Sequence, residues 1–412
     1  MELFVHSETG LLEAVVVHTP GREVSLVNPE VSEKLLFDDI IYENDARQEH
    51  LKMLEIFRAV MPPNGMVLEI ADLTAETLQN MDARQFFIDE LISSHPGSSF
   101  RLLREQLLQL PASSLLDFII LGTTEELKDI SLYPAPNLLF TRDLAAVVNN
   151  QVILSRAARA ARTREFLMME TILRFHPWMN SLKNNLISTG KQDSVEGGDI
   201  LVVSSEIVMI GMSERTTFSG LMGITDQLLQ RGIKKVIVVD IPKQRSSMHL
   251  DTIFTFASPT ECIVFPPAIT ERKENVSVFS RVDGRITAER KHSLKETLEE
   301  LLGRPMTFIA CGGQDTTSQY REQWTDGANV FALAPGVVVG YDRNIHTFEE
   351  MARHGYQIIH QDEFVSLCKN QPFDPLSGEK FAIRFQGNEL CRGRGGARCM
   401  TFPIIRHPEP TL

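Results

Sequence analysis

The chain has 412 residues, 43% of them hydrophobic. That is enough apolar material for one large or two medium cores, and it excludes both a disordered chain and a disulfide-stapled small protein. With 41 basic and 54 acidic side chains the net charge is −13, which leaves no general basic surface for nucleic acid or an anionic membrane.

The opening stretch MELFVHSETG has acidic and polar residues where a signal peptide has a basic end and an apolar run. No apolar stretch approaches the ~20 residues that span a bilayer. The five cysteines, Cys262, Cys311, Cys368, Cys391 and Cys399, lack a CxxC or Cys/His zinc spacing and read as reduced thiols. These features predict a cytoplasmic protein.

Residues 73–129 carry apolar residues at helical spacing, as in AETLQNMDARQFFIDELIS and SFRLLREQLLQLP, and predict a helical insertion. Residues 1–72 and 130–412 then form one α/β domain, with no low-complexity linker to separate the insertion from it. Beyond residue 130 one pattern recurs: an acidic entry, a short β-branched strand, a tight turn and a second strand. Asp143 precedes LAAVV and QVILS, Asp199 precedes ILVV and IVMIG, Asp251 precedes TIFTFA and ECIVF, and Asp326 precedes ANVFALA and VVVGY. Helical patterns over 163–175 and 217–232 follow two of these hairpins, the second with a glycine stop before KKVIVVD. A repeated unit that cannot bury its apolar face alone is expected to close into a ring or a stack. A ring would bring the entry acids together at one central site.

Four motifs carry candidate chemistry. NLLFTRD offers Asn137, Phe140, Arg142 and Asp143 just before a strand, although Arg142 and Asp143 could equally be a surface pair. VEGGD sets Glu196 and Asp199 around two glycines, a pattern that a plain turn explains as well. SMHLDTIFT puts His249 and Asp251 two apart, on one side of a strand, and no third metal ligand accompanies them. CRGRGGARCMTFP places three arginines and three glycines ahead of Cys399, which predicts a mobile or tightly bent loop that can act as a lid and a cysteine drawn toward thiolate by nearby positive charge. A thiol, a histidine and several carboxylates together suit a guanidinium, which is planar, cationic and matched bidentately by carboxylates.

Taken in order, VHSETG, LLFDD, NLLFTRD, ARTRE, VEGGD, GMSERTT, SMHLDTIFT, REQWTDGAN, PGVVVGYDRN and RGRGGARCMTFP resemble the arginine deiminases of the guanidine-modifying superfamily. The likeness covers nearly the whole chain outside the helical segment. It implies an α/β fold, a five-bladed pseudo-symmetric α/β propeller with a helical insertion, and hydrolysis of free L-arginine to L-citrulline and ammonia through an amidino-cysteine intermediate. It further implies Cys399 as nucleophile, His249 as general acid and then base with Glu196 beside it, and Asp143 and Asp251 as a guanidinium clamp. Arg162, Arg215 and Arg394 would hold the amino-acid end, with Asn137, Phe140 and Gly393 as further substrate contacts. The family implies no cofactor, no metal, a small-molecule partner and a homo-oligomer. An amidinotransferase, a hydrolase of another guanidino compound and a non-catalytic arginine-binding relative are the competing readings.

Overall fold

The computed structural model describes residues 3–94, 103–127, 130–179, 184–190 and 192–408. All four expected hairpins form. Ala145–Val148 pairs antiparallel with Gln151–Leu154, Ile200–Ser204 with Ile207–Met212, Phe254–Ser258 with Glu261–Val264, and Phe331–Ala334 with Val337–Tyr341. Their β-branched and apolar side chains are buried on both faces, which explains the nearly unbroken apolar runs. Asn149 (φ 52°) and Gly336 (φ 79°) supply the left-handed backbone of two of the tight turns.

In each unit a third strand lies parallel to the second. These are Leu186–Ile187, Lys235–Asp240, Thr307–Ala310 and Phe381–Phe385. The expected helices span Thr163–Phe175 and Phe218–Gln230, the latter capped by the Thr217 hydroxyl, which accepts from the Gly220 N–H.

A fifth sheet of the same order is absent from the pattern read along the chain, because its two antiparallel strands come from opposite ends. Phe402–Arg406 pairs antiparallel with Leu12–Val17, which pairs parallel with Met66–Glu69. Cys399 precedes Phe402 by three residues, as Asp251 precedes Phe254. The thiol therefore takes the entry position that a carboxylate occupies elsewhere. The strands form five separate sheets, and among the described residues none closes into a barrel.

The helical segment begins at Ile70 and runs through Ile70–Thr77, Met81–Ser94, Arg104–Gln109 and Ala112–Leu121. Residues 95–102, 128 and 129 of the expected insertion lie outside the described residues. Phe87, Leu107 and Phe118 share one apolar core with Val147, Ile153, Met168 and Val208, so the segment is packed onto the sheets. Among the described residues no helix is long and apolar enough to cross a membrane.

One expectation fails locally. His249 and Asp251 do not share a strand face, because Leu250–Thr252 is a 3-10 turn. Thr141–Leu144 and Gly197–Asp199 are turns of the same kind. Each tightens the backbone just before its strand and directs the entry acid inward.

Arg398 binds these turns to the chain's beginning. Its Nε and Nη2 donate to Glu8 at 3.0 and 3.1 Å, Nη1 donates to Asp251 at 2.7 Å, and Nη2 also donates to the Ile200 carbonyl at 2.9 Å. Burial opposes the Glu8 charge, but Arg398 and Arg142 outweigh it and hold the carboxyl at about 2. A pKa lowered on folding adds stability above the unfolded value near 4.5, and that contribution is lost as pH falls toward 2. Replacing Arg398 with Met leaves two buried carboxylates uncompensated and is expected to cost about 3–5 kcal/mol. Urea unfolding at neutral pH measures this, and an unchanged midpoint would remove Arg398 from its bridging role.

Candidate active site

The site is assembled from the turns that open the strands, and glycine is what lets them approach one another. A Cβ at Gly197 would lie 2.2 Å from the Arg142 carbonyl oxygen. One at Gly198 would lie 2.7 Å from the His249 Cγ and Nδ1 and 2.9 Å from the Asp143 Oδ1. VEGGD is thus both a turn and the floor beneath the imidazole.

His249 sits between two carboxylates, with Nε2 2.8 Å from Glu196 and Nδ1 3.5 Å from Asp143, all three buried. Burial disfavours the imidazolium, yet Asp143, Glu196 and Asp199 outweigh it and raise the imidazole to about 9. Burial would likewise raise Glu196, but the bond to His249 and the charges of Arg215 and Arg162 hold its carboxyl low. Asp199 accepts from Ser213 Oγ and Thr216 Oγ1, both at 2.6 Å, and from the Leu250 N–H at 2.9 Å. It thereby ties the loop carrying Arg215 to the turn carrying His249.

Asp143 and Asp251 share one design. Asp143 Oδ2 is bound by Arg162 Nη1, while its Oδ1 is buried without a hydrogen-bond partner. Asp251 Oδ2 is bound by Arg398, and both of its oxygens lie beside the Cys399 thiol, Oδ2 3.8 Å and Oδ1 4.0 Å from Sγ. Each carboxylate is anchored by an arginine through one oxygen, and its other oxygen has no arginine partner.

Cys399 is fixed through its backbone. Its N–H donates to Asn329 Oδ1 at 3.0 Å, and its carbonyl accepts from the Arg142 N–H at 3.1 Å. Its surroundings oppose the expected thiolate. Burial pushes the thiol up, and Asp251, Asp143 and Asp326 add to the effect against the opposing charge of Arg398. The neighbouring arginines serve other partners: Arg392 pairs with Asp39 and Glu389, and Arg398 with Glu8 and Asp251.

Of the two loop readings, mobile or tightly bent, the structure shows a tightly seated backbone. A Cβ at Gly395 would meet Phe140 Cε1 at 2.4 Å, and one at Gly396 would meet the Asn329 carbonyl oxygen at 2.7 Å. Tyr341 Oη donates to the Gly395 carbonyl at 2.7 Å. The density of glycine here serves close packing.

The thiol, His249 and Asp143 open on one cavity with Asn137, Phe140, Arg162, Arg215, Gly393 and Arg394, and Glu196 and Asp251 sit directly behind them. The cavity encloses about 20 Å³, about the room one water needs. Side chains must therefore move to admit a larger molecule. Leu36, Arg245, Met248 and Thr252 also line it and were not selected from the sequence. Arg245 donates to the Leu36 carbonyl at 2.7 Å and pairs with Asp38 at 3.0 Å, holding the neighbouring loop over the opening. Arg398 could have been suspected from its place beside Cys399, whereas nothing in KQRSSMH signals Arg245.

The three mapped arginines differ in what they have free. Arg162 has its fork occupied by Asp143, Glu165 and the carbonyls of Asn137 and Phe140. Arg215 donates to Glu214 at 3.3 Å and lies 4.0 Å from Glu196. Arg394 has Nε and Nη1 buried without hydrogen-bond partners.

Asp143, Glu196 and His249 lie close enough together to hold a metal ion, so His249 is grouped with two carboxylates from other motifs and not with Asp251 of the HxD pair. The outer Asp143 oxygen is already bound by Arg162, and the outer Glu196 oxygen accepts from the Ala158 N–H. Both imidazole nitrogens face carboxylates. The set is charge-balanced by protein cations and does not fit a divalent ion.

Buried carboxylates arranged around a thiol and an imidazole define an enzyme of guanidino chemistry, and the comparisons with solved structures agree on the fold. An amidinotransferase from Microseira wollei in saxitoxin biosynthesis aligns over 99% of both chains with a TM-score of 0.55 at 11% identity. A dimethylarginine dimethylaminohydrolase from Pseudomonas aeruginosa complexed with citrulline aligns over 95% of this chain and 99% of its own, with a TM-score of 0.51 at 14% identity. The arginine deiminase family model matches residues 33–124 and 120–406. Arginine deiminases of Listeria monocytogenes serotype 4b (strain CLIP80459) and Bacillus cereus (strain B4264) are 33% and 34% identical, each over 98% of both chains. The chain belongs to the arginine deiminase family.

Two outcomes follow from this geometry. His249 is expected to titrate near 9 by NMR, and Glu196→Gln, which removes an anion that favours the imidazolium, lowers that value. An unchanged titration would reduce Glu196 to a turn residue. Dialysis against a strong chelator is expected to leave turnover intact, and activity lost to the chelator and restored by a divalent ion would overturn the charge-balanced reading of the three-residue cluster.

Proposed function

We propose that this chain hydrolyses free L-arginine to L-citrulline and ammonia, using Cys399 as a covalent nucleophile. The observation that carries the reading is the pair of half-anchored carboxylates. Asp143 and Asp251 are each held through one oxygen by an arginine and keep the other free of an arginine partner, with Asp143 Oδ1 3.5 Å from the imidazole and both Asp251 oxygens beside the thiol, at 3.8 and 4.0 Å. Two such oxygens suit the N–H donors of a planar guanidinium and hold its carbon beneath Sγ.

The same carboxylates explain why the thiol waits for substrate. A guanidinium between them neutralises the field that pushes Cys399 up, so the thiol proton is released to solvent as the cation docks. Sγ then bonds to the guanidinium carbon. Ammonia leaves with a proton from His249, giving an amidino-cysteine, and the now neutral imidazole takes a proton from water as water attacks the same carbon. The hydroxyl of this adduct then gives its remaining proton to solvent, where the departed ammonia can take it up, while the C=O bond forms, the C–S bond breaks, and citrulline and the thiolate are released. Glu196 keeps His249 charged for the first half and oriented for the second.

The free donors of Arg394 and the lightly engaged Arg215 suit the substrate carboxylate. Arg162, with its fork occupied, holds Asp143 and the Asn137–Phe140 turn in register. Asn137 donates to the Leu35 carbonyl at 2.7 Å and so links the site to the loop above it. Phe140 and Gly393 form the packed wall through which the substrate chain would run.

This reading takes the five sheets as blades of a five-bladed α/β propeller formed by 1–72 and 130–412, with 73–129 inserted. The split fifth sheet supports it, since joining the chain's two ends is how a ring of blades is closed.

Incubation with arginine is expected to yield equimolar citrulline and ammonia. Acid quenching during turnover should trap an amidino adduct on the peptide carrying Cys399, and Cys399→Ser should abolish both. Ornithine with a new guanidino compound would indicate amidino transfer instead, and an adduct on any other cysteine would overturn the assignment of the nucleophile.

A further inference from the structure

Arg394 is held in an unusual way for a buried cation. Its Cζ lies 3.4 Å from the centroid of the Trp324 ring, while Nε and Nη1 have no hydrogen-bond partner. A guanidinium that stacks on an aromatic face is stabilised through its π surface and keeps its in-plane N–H donors free. A carboxylate partner would consume those donors, as Asp143 and Glu165 consume those of Arg162. Asp326, two residues beyond Trp324, is also buried, with Oδ2 unpartnered.

The surroundings of both residues are rigid. Trp324 ends the helix Thr316–Trp324, whose start is capped by the Asp315 side chain accepting from the Ser318 N–H. The adjacent Gln323 donates to the carbonyls of Ser246 at 2.5 Å and Thr252 at 3.3 Å, tying this helix end to the turn that carries His249 and Asp251. Arg394 has left-handed backbone (φ 65°) and is flanked by Gly393 and Gly395, both packed against Phe140. With the backbone pinned, the direction of the guanidinium depends on its side-chain torsions and on the surface beneath it. The Trp324 ring is roughly half-exposed and also lines an open cleft with Tyr320, Arg343 and Ile345. It forms the border between that cleft and the site.

We infer that Trp324 is a positioning residue: its ring holds Arg394 with free donors aimed into the cavity, and so sets the preference for a guanidino substrate that bears a carboxylate. The inference rests on the proposed arginine hydrolysis and on Arg394 meeting the substrate carboxylate. A cation–π contact of this kind corresponds to roughly threefold to thirtyfold in affinity.

The test compares arginine with agmatine, which has the same reacting group and no carboxylate. Trp324→Leu is expected to raise KM for arginine about tenfold and to lower kcat/KM for agmatine far less, so that the arginine-to-agmatine ratio falls. Trp324→Phe, which keeps a ring, should restore part of that ratio. Equal losses on both substrates would mark a structural residue and overturn the inference. A second measurement does not depend on turnover. The chain has two tryptophans, so in Trp178→Phe the remaining emission reports on Trp324. Arginine but not agmatine should shift it. No response to arginine would overturn the inference, whereas a response without citrulline production would refute the proposed reaction and leave the carboxylate contact standing.

Discussion

A carboxylate taken out of water must meet a cation or a set of donors, and most of this molecule's centre follows from that requirement. Glu8, Asp143, Glu165, Glu196 and Asp251 are all buried and are matched by Arg398, Arg162, Arg215 and His249. The partners come from different turns, so satisfying the charges also fixes the turns relative to one another. Glu8 and Arg398 are near opposite ends of the chain, and their pairing stands beside the strand pairing that joins those ends. Arg142, buried next to Arg398 and lowered to about 9 by burial and that neighbour, marks how closely like charges are crowded here.

One field has opposite consequences for the two reactive groups. The carboxylates that lift His249 toward its charged form lift Cys399 toward its neutral form, because one group gains a positive charge on protonation and the other loses a negative one. The same surroundings thus favour an imidazolium and disfavour a thiolate. A neutral buried thiol is a poor target for oxidants. In the proposed reaction a cationic substrate would supply the charge that the thiolate needs, which would link chemical activation to binding of the correct class of molecule.

Close approach of backbone to side chain is the second constraint. Gly197 and Gly198 let two turns meet beneath His249, and Gly395 and Gly396 let the Cys399 loop press onto Phe140 and Asn329. The backbone is thereby closely packed around His249 and Cys399.

Much of this was legible in the amino-acid order. Alternation of β-branched residues around Asn149-Asn150 or Pro335-Gly336 specifies a hairpin locally, and all four such hairpins form. Cys399, His249, Asp143 and the glycines of VEGGD were likewise visible, because their chemistry and spacing are carried within short motifs. Pairings over long separations were not. The fifth sheet joins residues 12–17 to 402–406, and no local pattern encodes that. Arg162, Arg215 and Arg394 look alike as letters, yet one is consumed by carboxylates, one is lightly engaged and one rests on an indole. The thiol's protonation was misjudged for the same reason. Positive charge adjacent in sequence matters less than negative charge adjacent in space, since burial and Coulomb interactions act through distance and dielectric, which the folded chain alone establishes.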